Sequence, residues 1–246
     1  MTPYFDRDGI VIYNARCEDV LPDIDPASVD LLLTDPPYNV TENNGRDGTT
    51  VGKVKRADGS YREVRRDFGE WDREFDPSKL LAHATRLLVD RGGFLAFTSD
   101  RLIGAYVADP SLHHMRTLVW LKTNPAPQFP GNYQSSCEWV VWQGKGGPPT
   151  FTGGGAVPNV HRAAIPATSR RSHPNAKPLS LIIRLLGLHS KPGDLVLDPY
   201  MGSGPIAQAC HELGRRYIGI ELVEDYCKVA VSRLAQQTLD LSGGAA

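Results

Sequence analysis

The chain has 246 residues, 41% of them hydrophobic and 22% charged, with a formal net charge of −1, the composition of a globular protein able to bury a full core. No apolar run approaches the length of a membrane span, and the opening stretch MTPYFDRDG lacks a signal-peptide pattern, so a cytoplasmic protein with no membrane partner is expected. Cys17, Cys137, Cys210 and Cys227 are too scattered for a metal or redox spacing and no His/Asp/Glu cluster accompanies them, so buried reduced thiols and no metal are expected.

Taken in chain order, seven short apolar runs rich in β-branched or aromatic residues read as strands: 10–13, 30–33, 93–98, 117–121, 138–142, 195–198 and 217–221. Several are apolar throughout, as strands covered on both faces are. Helical spacing marks 77–90, with Leu80, Leu81, Ala84, Leu87 and Leu88 on one face and Gly92-Gly93 as its stop, and then 178–188, 205–213 and 223–234. Alternating strands and helices predict one α/β domain over 1–246, a mostly parallel sheet with helices on both faces. Two stretches break the pattern. Residues 39–71 are polar, basic and without a convincing period, and 144–175 read as loop around Gly153-Gly154-Gly155; structureless stretches of this length are usually functional or mobile.

Charge is unevenly spread. Between Pro110 and Gly193 nine bases accompany a single acid, Glu138, and a second basic run (Lys53, Lys55, Arg56, Arg62, Arg65, Arg66) lies among few acids. A face turned toward phosphates is one reading, and chance segregation on a solvated surface is the other.

The first chemical signal is Thr34-Asp35-Pro36-Pro37-Tyr38, directly after the strand at 30–33. Ligands of open α/β sheets bind at the carboxyl ends of strands. Two prolines stiffen the turn and remove backbone donors, leaving carbonyl acceptors. Asp35 and the Pro36 carbonyl suit the two hydrogens of an amino group on a planar ring, with Tyr38 stacking on that ring; the bland alternative is a proline turn with an exposed tyrosine. The second signal is Leu197-Asp198-Pro199-Tyr200-Met201-Gly202-Ser203-Gly204, a strand running into a glycine turn and a helix, with Glu221 ending the next strand 23 positions after Asp198. An acid at that distance typically takes ribose hydroxyls. The turn departs from the GxGxxG of pyrophosphate binders, which favours a nucleoside without phosphates over NAD.

Together with His173-Pro174-Asn175-Ala176-Lys177-Pro178, Gly219-Ile220-Glu221, Trp120-Leu121-Lys122-Thr123-Asn124-Pro125 and Cys137-Glu138-Trp139-Val140-Val141-Trp142, these motifs resemble the β-class S-adenosylmethionine-dependent DNA amino-methyltransferases. In that family the DPPY motif precedes the cofactor motif, as Asp35 precedes Asp198 here, and the resemblance runs from about Ile10 to Arg233. It implies a seven-stranded Rossmann-like methyltransferase sheet with the C-terminal motif strands placed centrally beside the N-terminal ones. It implies S-adenosylmethionine as cofactor, with Asp198, Tyr200, Gly202, Ser203 and Gly204 along its methionine side, Glu221 on the ribose, and Lys177 and Pro178 close by. Asp35, Pro36, Pro37 and Tyr38 would be catalytic, and the stretches 39–71 and 144–175, with Arg162, Arg170 and Arg171, would meet double-stranded DNA. Four positions depart from the family: Ala176 replaces the usual Gln, Pro205 stands where Thr commonly follows the glycine turn, and Ala15-Arg16 replace a frequent Gly-Asp.

The implied reaction is in-line transfer of a methyl group to an exocyclic amino nitrogen of an extruded base. Adenine-N6 is the first expectation, because cytosine-N4 members more often carry Ser at the position of Asp35. Cytosine carbon-5 transfer is disfavoured by the lack of a Pro-Cys nucleophile. The alternatives are cytosine-N4 transfer, methylation of RNA or a protein amide, and a DNA-binding homologue without catalysis. A homodimer and a cognate restriction endonuclease are the partners the resemblance brings with it.

Overall fold

A computed structural model describes residues 1–39, 49–55, 61–67, 75–125, 133–166 and 177–242. In chain order the elements are β1 (Phe5–Arg7), β2 (Ile10–Asn14), α1 (Cys17–Val20), β3 (Val29–Thr34), β4 (Thr49–Lys55), β5 (Tyr61–Asp67), α2 (Pro77–Leu87), β6 (Leu88–Thr98), α3 (Ile103–Ala108), β7 (His113–Lys122), β8 (Cys137–Gly144), β9 (Val160–Ala163), α4 (Leu179–His189), β10 (Leu195–Asp198), α5 (Pro205–Glu212), β11 (Arg216–Glu221) and α6 (Glu224–Ser242).

The α/β architecture is as expected, but the sheet is mixed and nine-stranded rather than seven-stranded, with five of its eight strand pairings parallel. Its order is β1-β2-β11-β10-β3-β6-β8-β7-β9. The seven expected strands are all present, and the two additions are its edges. β1 joins β2 through Asp8-Gly9, both at positive φ (52° and 77°), the arrangement a two-residue hairpin turn demands. β9 pairs with β7 along Val119↔Val160 to Lys122↔Ala163, with Asn159 Nδ2 donating to the Thr117 carbonyl at its start. Neither edge strand carries an apolar run, because each is held by backbone pairing more than by burial.

Strands β2, β11, β10, β3 and β6 are parallel; β8 follows antiparallel to β6, and β7, antiparallel to β8, runs with the parallel set again. Separately, β4 and β5 form an antiparallel two-stranded ribbon from Thr49↔Asp67 to Lys55↔Tyr61, within a stretch expected to be loop. Helix α2 stops three residues before the expected end, because the chain from Leu88 onward joins the sheet, with Leu88 opposite Val29.

Helices cover both faces. On one, Leu181, Ile182, Leu185 and Leu186 of α4 join Ile206, Ala207, Cys227 and Ala230 of α5 and α6 over Leu31, Leu33, Leu95 and Phe97. On the other, Val20, Leu80, Leu81, Ala84 and Tyr106 cover Val29, Leu32, Phe94 and Ala96. Among the described residues no helix is long and apolar enough to cross a membrane.

This topology fixes where a ligand can sit. From β10 the chain passes through α5 to β11 on one side, and from β3 through α2 to β6 on the other. The order therefore reverses between β10 and β3, and the crevice beyond their carboxyl ends is the place such sheets use for binding.

Candidate active site

Asp35 emerges from the carboxyl end of β3 on a turn whose Pro36 and Pro37 are buried, while 24% of the Asp35 side chain stays exposed. Both of its oxygens are engaged. The Tyr38 hydroxyl donates to Oδ1 at 2.7 Å, and the Lys177 ammonium donates to Oδ2 at 2.6 Å. Asn39 closes the turn by exchanging two 2.8 Å hydrogen bonds with the backbone of Phe75.

Lys177 extends the pair into a charge ladder. It is buried just before α4, its ammonium 5.2 Å from the centroids of both the Tyr38 and Phe97 rings. Its second carboxylate is Glu138, whose Oε2 lies at 3.2 Å, and Lys122 holds the other Glu138 oxygen at 3.0 Å. The Tyr38 hydroxyl also reaches Glu138 Oε2, at 3.3 Å. Two carboxylates and two ammonium groups alternate, so the buried charges cancel. Burial pushes the Asp35 carboxyl above its ordinary range, an effect that Lys177 offsets and Glu138 adds to. Burial acts the same way on Glu138, but there Lys177 and Lys122 outweigh it and hold the carboxyl below its usual value. Lys177 stays charged, because the two carboxylates outweigh its own desolvation.

On the other side of the crevice, Asp198 ends β10 fully buried. It accepts hydrogen bonds from the Thr34 hydroxyl (2.7 Å), the Tyr217 hydroxyl (3.1 Å) and the Tyr200 amide (3.2 Å), and burial pushes its carboxyl up to about 7. The glycine turn follows. Gly202 has φ +54° with nothing within 4 Å of where a Cβ would stand, whereas Gly204, at φ +77°, would place a Cβ 2.6 Å from that of Ala230. Gly202 thus leaves open space at the crevice, and Gly204 permits close packing of α5 against α6. Glu221 ends β11 and accepts from the amides of Gly202 (2.9 Å) and Val223 (2.7 Å). Carboxylate oxygens retain further lone pairs for ligand hydroxyls.

Of the residues expected on the cofactor side, Asp198, Tyr200, Gly202, Ser203, Gly204 and Glu221 gather at the carboxyl ends of β10 and β11, and Pro178 caps α4. Lys177 is different: its ammonium points to Asp35 rather than to the glycine turn. Arg162 is exposed on β9, opposite Leu121 and so toward the same edge of the sheet. Arg170, Arg171 and the stretch 173–176 lie outside the described residues, as do parts of 39–71 and 144–175. Glu138 and Lys122 were not singled out as site residues by the sequence. The signal was there, since Glu138 is the lone acid in its basic stretch.

The crevice fits a nucleoside sulfonium. Among the described residues the buried Ser203 hydroxyl has no hydrogen-bond partner, Gly202 admits close approach, and Leu222 and Val223 expose apolar surface (57% and 38%) beside the Glu221 carboxylate. The profile of a DNA methylase family, the N6/N4 methyltransferases, matches residues 29–232.

The chain belongs to this DNA methylase family.

A curated relative, the Type II methyltransferase M2.LlaDCHI of Lactococcus lactis subsp. cremoris, is 26% identical over 258 residues, covering 94% of this chain and 91% of the relative. Among solved structures, the complex of M1.HpyAVI with S-adenosylmethionine shares 25% identity at a TM-score of 0.69, covering 91% of this chain and 99% of that one. The cytosine-N4-specific PvuII DNA methyltransferase shares the fold, with a TM-score of 0.70 at 15% identity and coverage of 94% and 88%. The methylase thus has its family's α/β fold, and a fold of this kind serves a cytosine-specific enzyme too.

Proposed function

We propose that this methylase transfers a methyl group from S-adenosylmethionine to the N6 amino group of an adenine extruded from double-stranded DNA. The observation that carries the reading is the placement of Asp35. A partly exposed carboxylate stands at the end of β3, directly across the switch point from the glycine turn of β10, and Thr34 is hydrogen-bonded to Asp198 between them. Methyl donor and amino acceptor would therefore occupy adjoining crevices.

When bound, S-adenosylmethionine supplies an electrophilic methyl group. Gly202 and Ser203 would flank its amino-acid portion and Glu221 its ribose, with Tyr200 on the side of Phe75, whose ring meets it edge-on at 5.7 Å. Asp198 and Gly204 shape that wall from behind. On the acceptor side, an exocyclic base nitrogen is a weak nucleophile because its lone pair is delocalised. Asp35 and the Pro36 carbonyl accept its two hydrogens, turning electron density toward the methyl donor and holding the nitrogen in line. Pro37 keeps the turn rigid, and Tyr38 stacks on the base, offsetting part of the few kcal/mol of unstacking.

Arg162 and the β4–β5 ribbon, with Lys53, Lys55, Arg62, Arg65 and Arg66 in its strands, would contact DNA. Arg170 and Arg171 are assigned to the same surface from the sequence. A two-stranded ribbon is of a size that the major groove admits. The Type II designation of the relative supports pairing with a cognate restriction endonuclease. Asp35, where N4 members more often carry Ser, supports adenine over cytosine.

The test is Asp35→Ala. Methyl transfer to DNA should vanish while S-adenosylmethionine binding persists. Turnover comparable to the unaltered protein would overturn the assignment, and an unaltered protein that binds DNA without any transfer would be the non-catalytic homologue.

A further inference from the structure

Both oxygens of Asp35 are already occupied, one by Tyr38 and the other by Lys177. Each oxygen keeps a further lone pair, but an amino group that approaches along the direction either donor now occupies takes that donor's place. Tyr38 is a neutral hydroxyl with a second acceptor in Glu138. Lys177 is a buried cation, its side chain 5% exposed, and stripping such a group of its counter-charge is strongly unfavourable. Here it does not lose its last partner. Glu138 Oε2 stands 3.2 Å from the same ammonium, and Lys122 anchors the other Glu138 oxygen.

We infer that Glu138 is a positioning residue for methyl transfer, giving the Lys177 ammonium a second seat so that the target amine can replace it on Asp35. The ammonium shifts its hydrogen bond from Asp35 to Glu138 as the base enters and returns as the methylated base leaves. The site thus keeps its charges paired both with and without substrate. This inference rests on the reading of Asp35 as the acceptor of the target amine. Asp35 is faced by Tyr38 from its own turn, Lys177 ahead of α4 and Glu138 from β8, with Asp198 and Tyr106 further off.

Glu138→Gln keeps the shape and removes the charge, leaving Lys177 with Asp35 as its remaining anion. The expected result is a fall of at least about tenfold in kcat/KM for DNA, with cofactor Kd changed by no more than about twofold and the thermal melt retained. The acid limb of the kcat/KM profile should move to lower pH, because the Glu138 charge raises the proton affinity of Asp35; a purely structural loss lowers the plateau and leaves the limb in place. Glu138→Asp, which keeps the charge, should recover most of the activity with an unmoved limb, and it carries the test should the glutamine variant fail to fold. Wild-type kcat/KM in Glu138→Gln, an unmoved limb in that variant, or a folded and cofactor-binding Glu138→Asp that is inert would each overturn the inference. Asp35→Ala assayed in parallel separates the two claims: if it turns over, the reading of Asp35 fails; if it is dead while Glu138→Gln is unaffected, only the role of Glu138 fails.

Discussion

The Thr34 hydroxyl donates a 2.7 Å hydrogen bond to Asp198 Oδ1, and both side chains are fully buried. The bond links the ends of β3 and β10, the two strands that lead into the DPPY motif and the glycine turn, across 164 positions of chain. It ties the turn that carries Asp35 to the strand that runs into the glycine turn.

Asp198 makes that link pH-dependent. An unfolded Asp ionises near its ordinary value of 3.8, whereas in the fold the carboxyl titrates at about 7. Between those values the folded state holds a proton that the unfolded state has lost, so this contribution to stability falls as pH rises from about 4 to about 7 and then levels off. Asp198→Asn removes the titration. The melting temperature of the native protein minus that of the variant should therefore decrease across this window, and a difference independent of pH would contradict the shifted titration.

Gly202 and Gly204 separate by function. Gly204→Ala forces a methyl group against Ala230 at a positive φ and should cost about 3 kcal/mol of stability. Gly202→Ala meets open space, so only the backbone strain of about 1–2 kcal/mol remains. Its methyl group instead narrows the crevice. Chemical denaturation together with cofactor titration should show Gly204→Ala mainly less stable and Gly202→Ala mainly weaker in S-adenosylmethionine binding.

In the proposed reaction Tyr38 offers its ring to the base, while its hydroxyl donates to Asp35. Tyr38→Phe keeps the ring and frees an Asp35 oxygen, so turnover should stay within about tenfold of the unaltered protein. Tyr38→Ala removes a stacking partner worth about 1–3 kcal/mol, a fall of about 5- to 150-fold in kcat/KM. Equal effects of the two substitutions would show that the hydroxyl, not the ring, matters.

The β4–β5 ribbon bears five of the chain's basic residues in its two paired strands. If it meets phosphates, replacing Lys53 and Lys55 by Gln should weaken DNA binding on every sequence and lower the slope of log K against log salt by about 1 for each phosphate no longer neutralised. An unchanged slope would remove these lysines from the interface.

Much of the candidate active site is legible in the sequence because its two motifs follow strands, and the carboxyl end of a strand in an open sheet is a binding position before any coordinates are known. Asp35, Asp198 and Glu221 fall there. Lys177 and Glu138 do not announce themselves in this way. Glu138 reaches Asp35 because β8 runs antiparallel to β6, which sets Trp139 opposite Thr98 and brings the start of β8 to the edge where β6 and β3 end. Lys177 arrives because α4 packs across that face with its N-terminus at the same edge. Such meetings depend on strand order and helix placement, which local pattern does not encode. The edge strands escaped for another reason: Phe5–Arg7 and Val160–Ala163 are short and largely exposed, so they lack a hydrophobic period. The Asp8-Gly9 turn was the readable sign of the first.

The most direct measurement is transfer of a labelled methyl group from S-adenosylmethionine to unmethylated double-stranded DNA, followed by digestion to nucleosides. Label is expected in N6-methyladenine, and none with Asp35→Ala. Label in N4-methylcytosine would contradict the choice of base while leaving the amino-transfer site in place, and no label in DNA from a protein that binds the cofactor would contradict the proposed function itself.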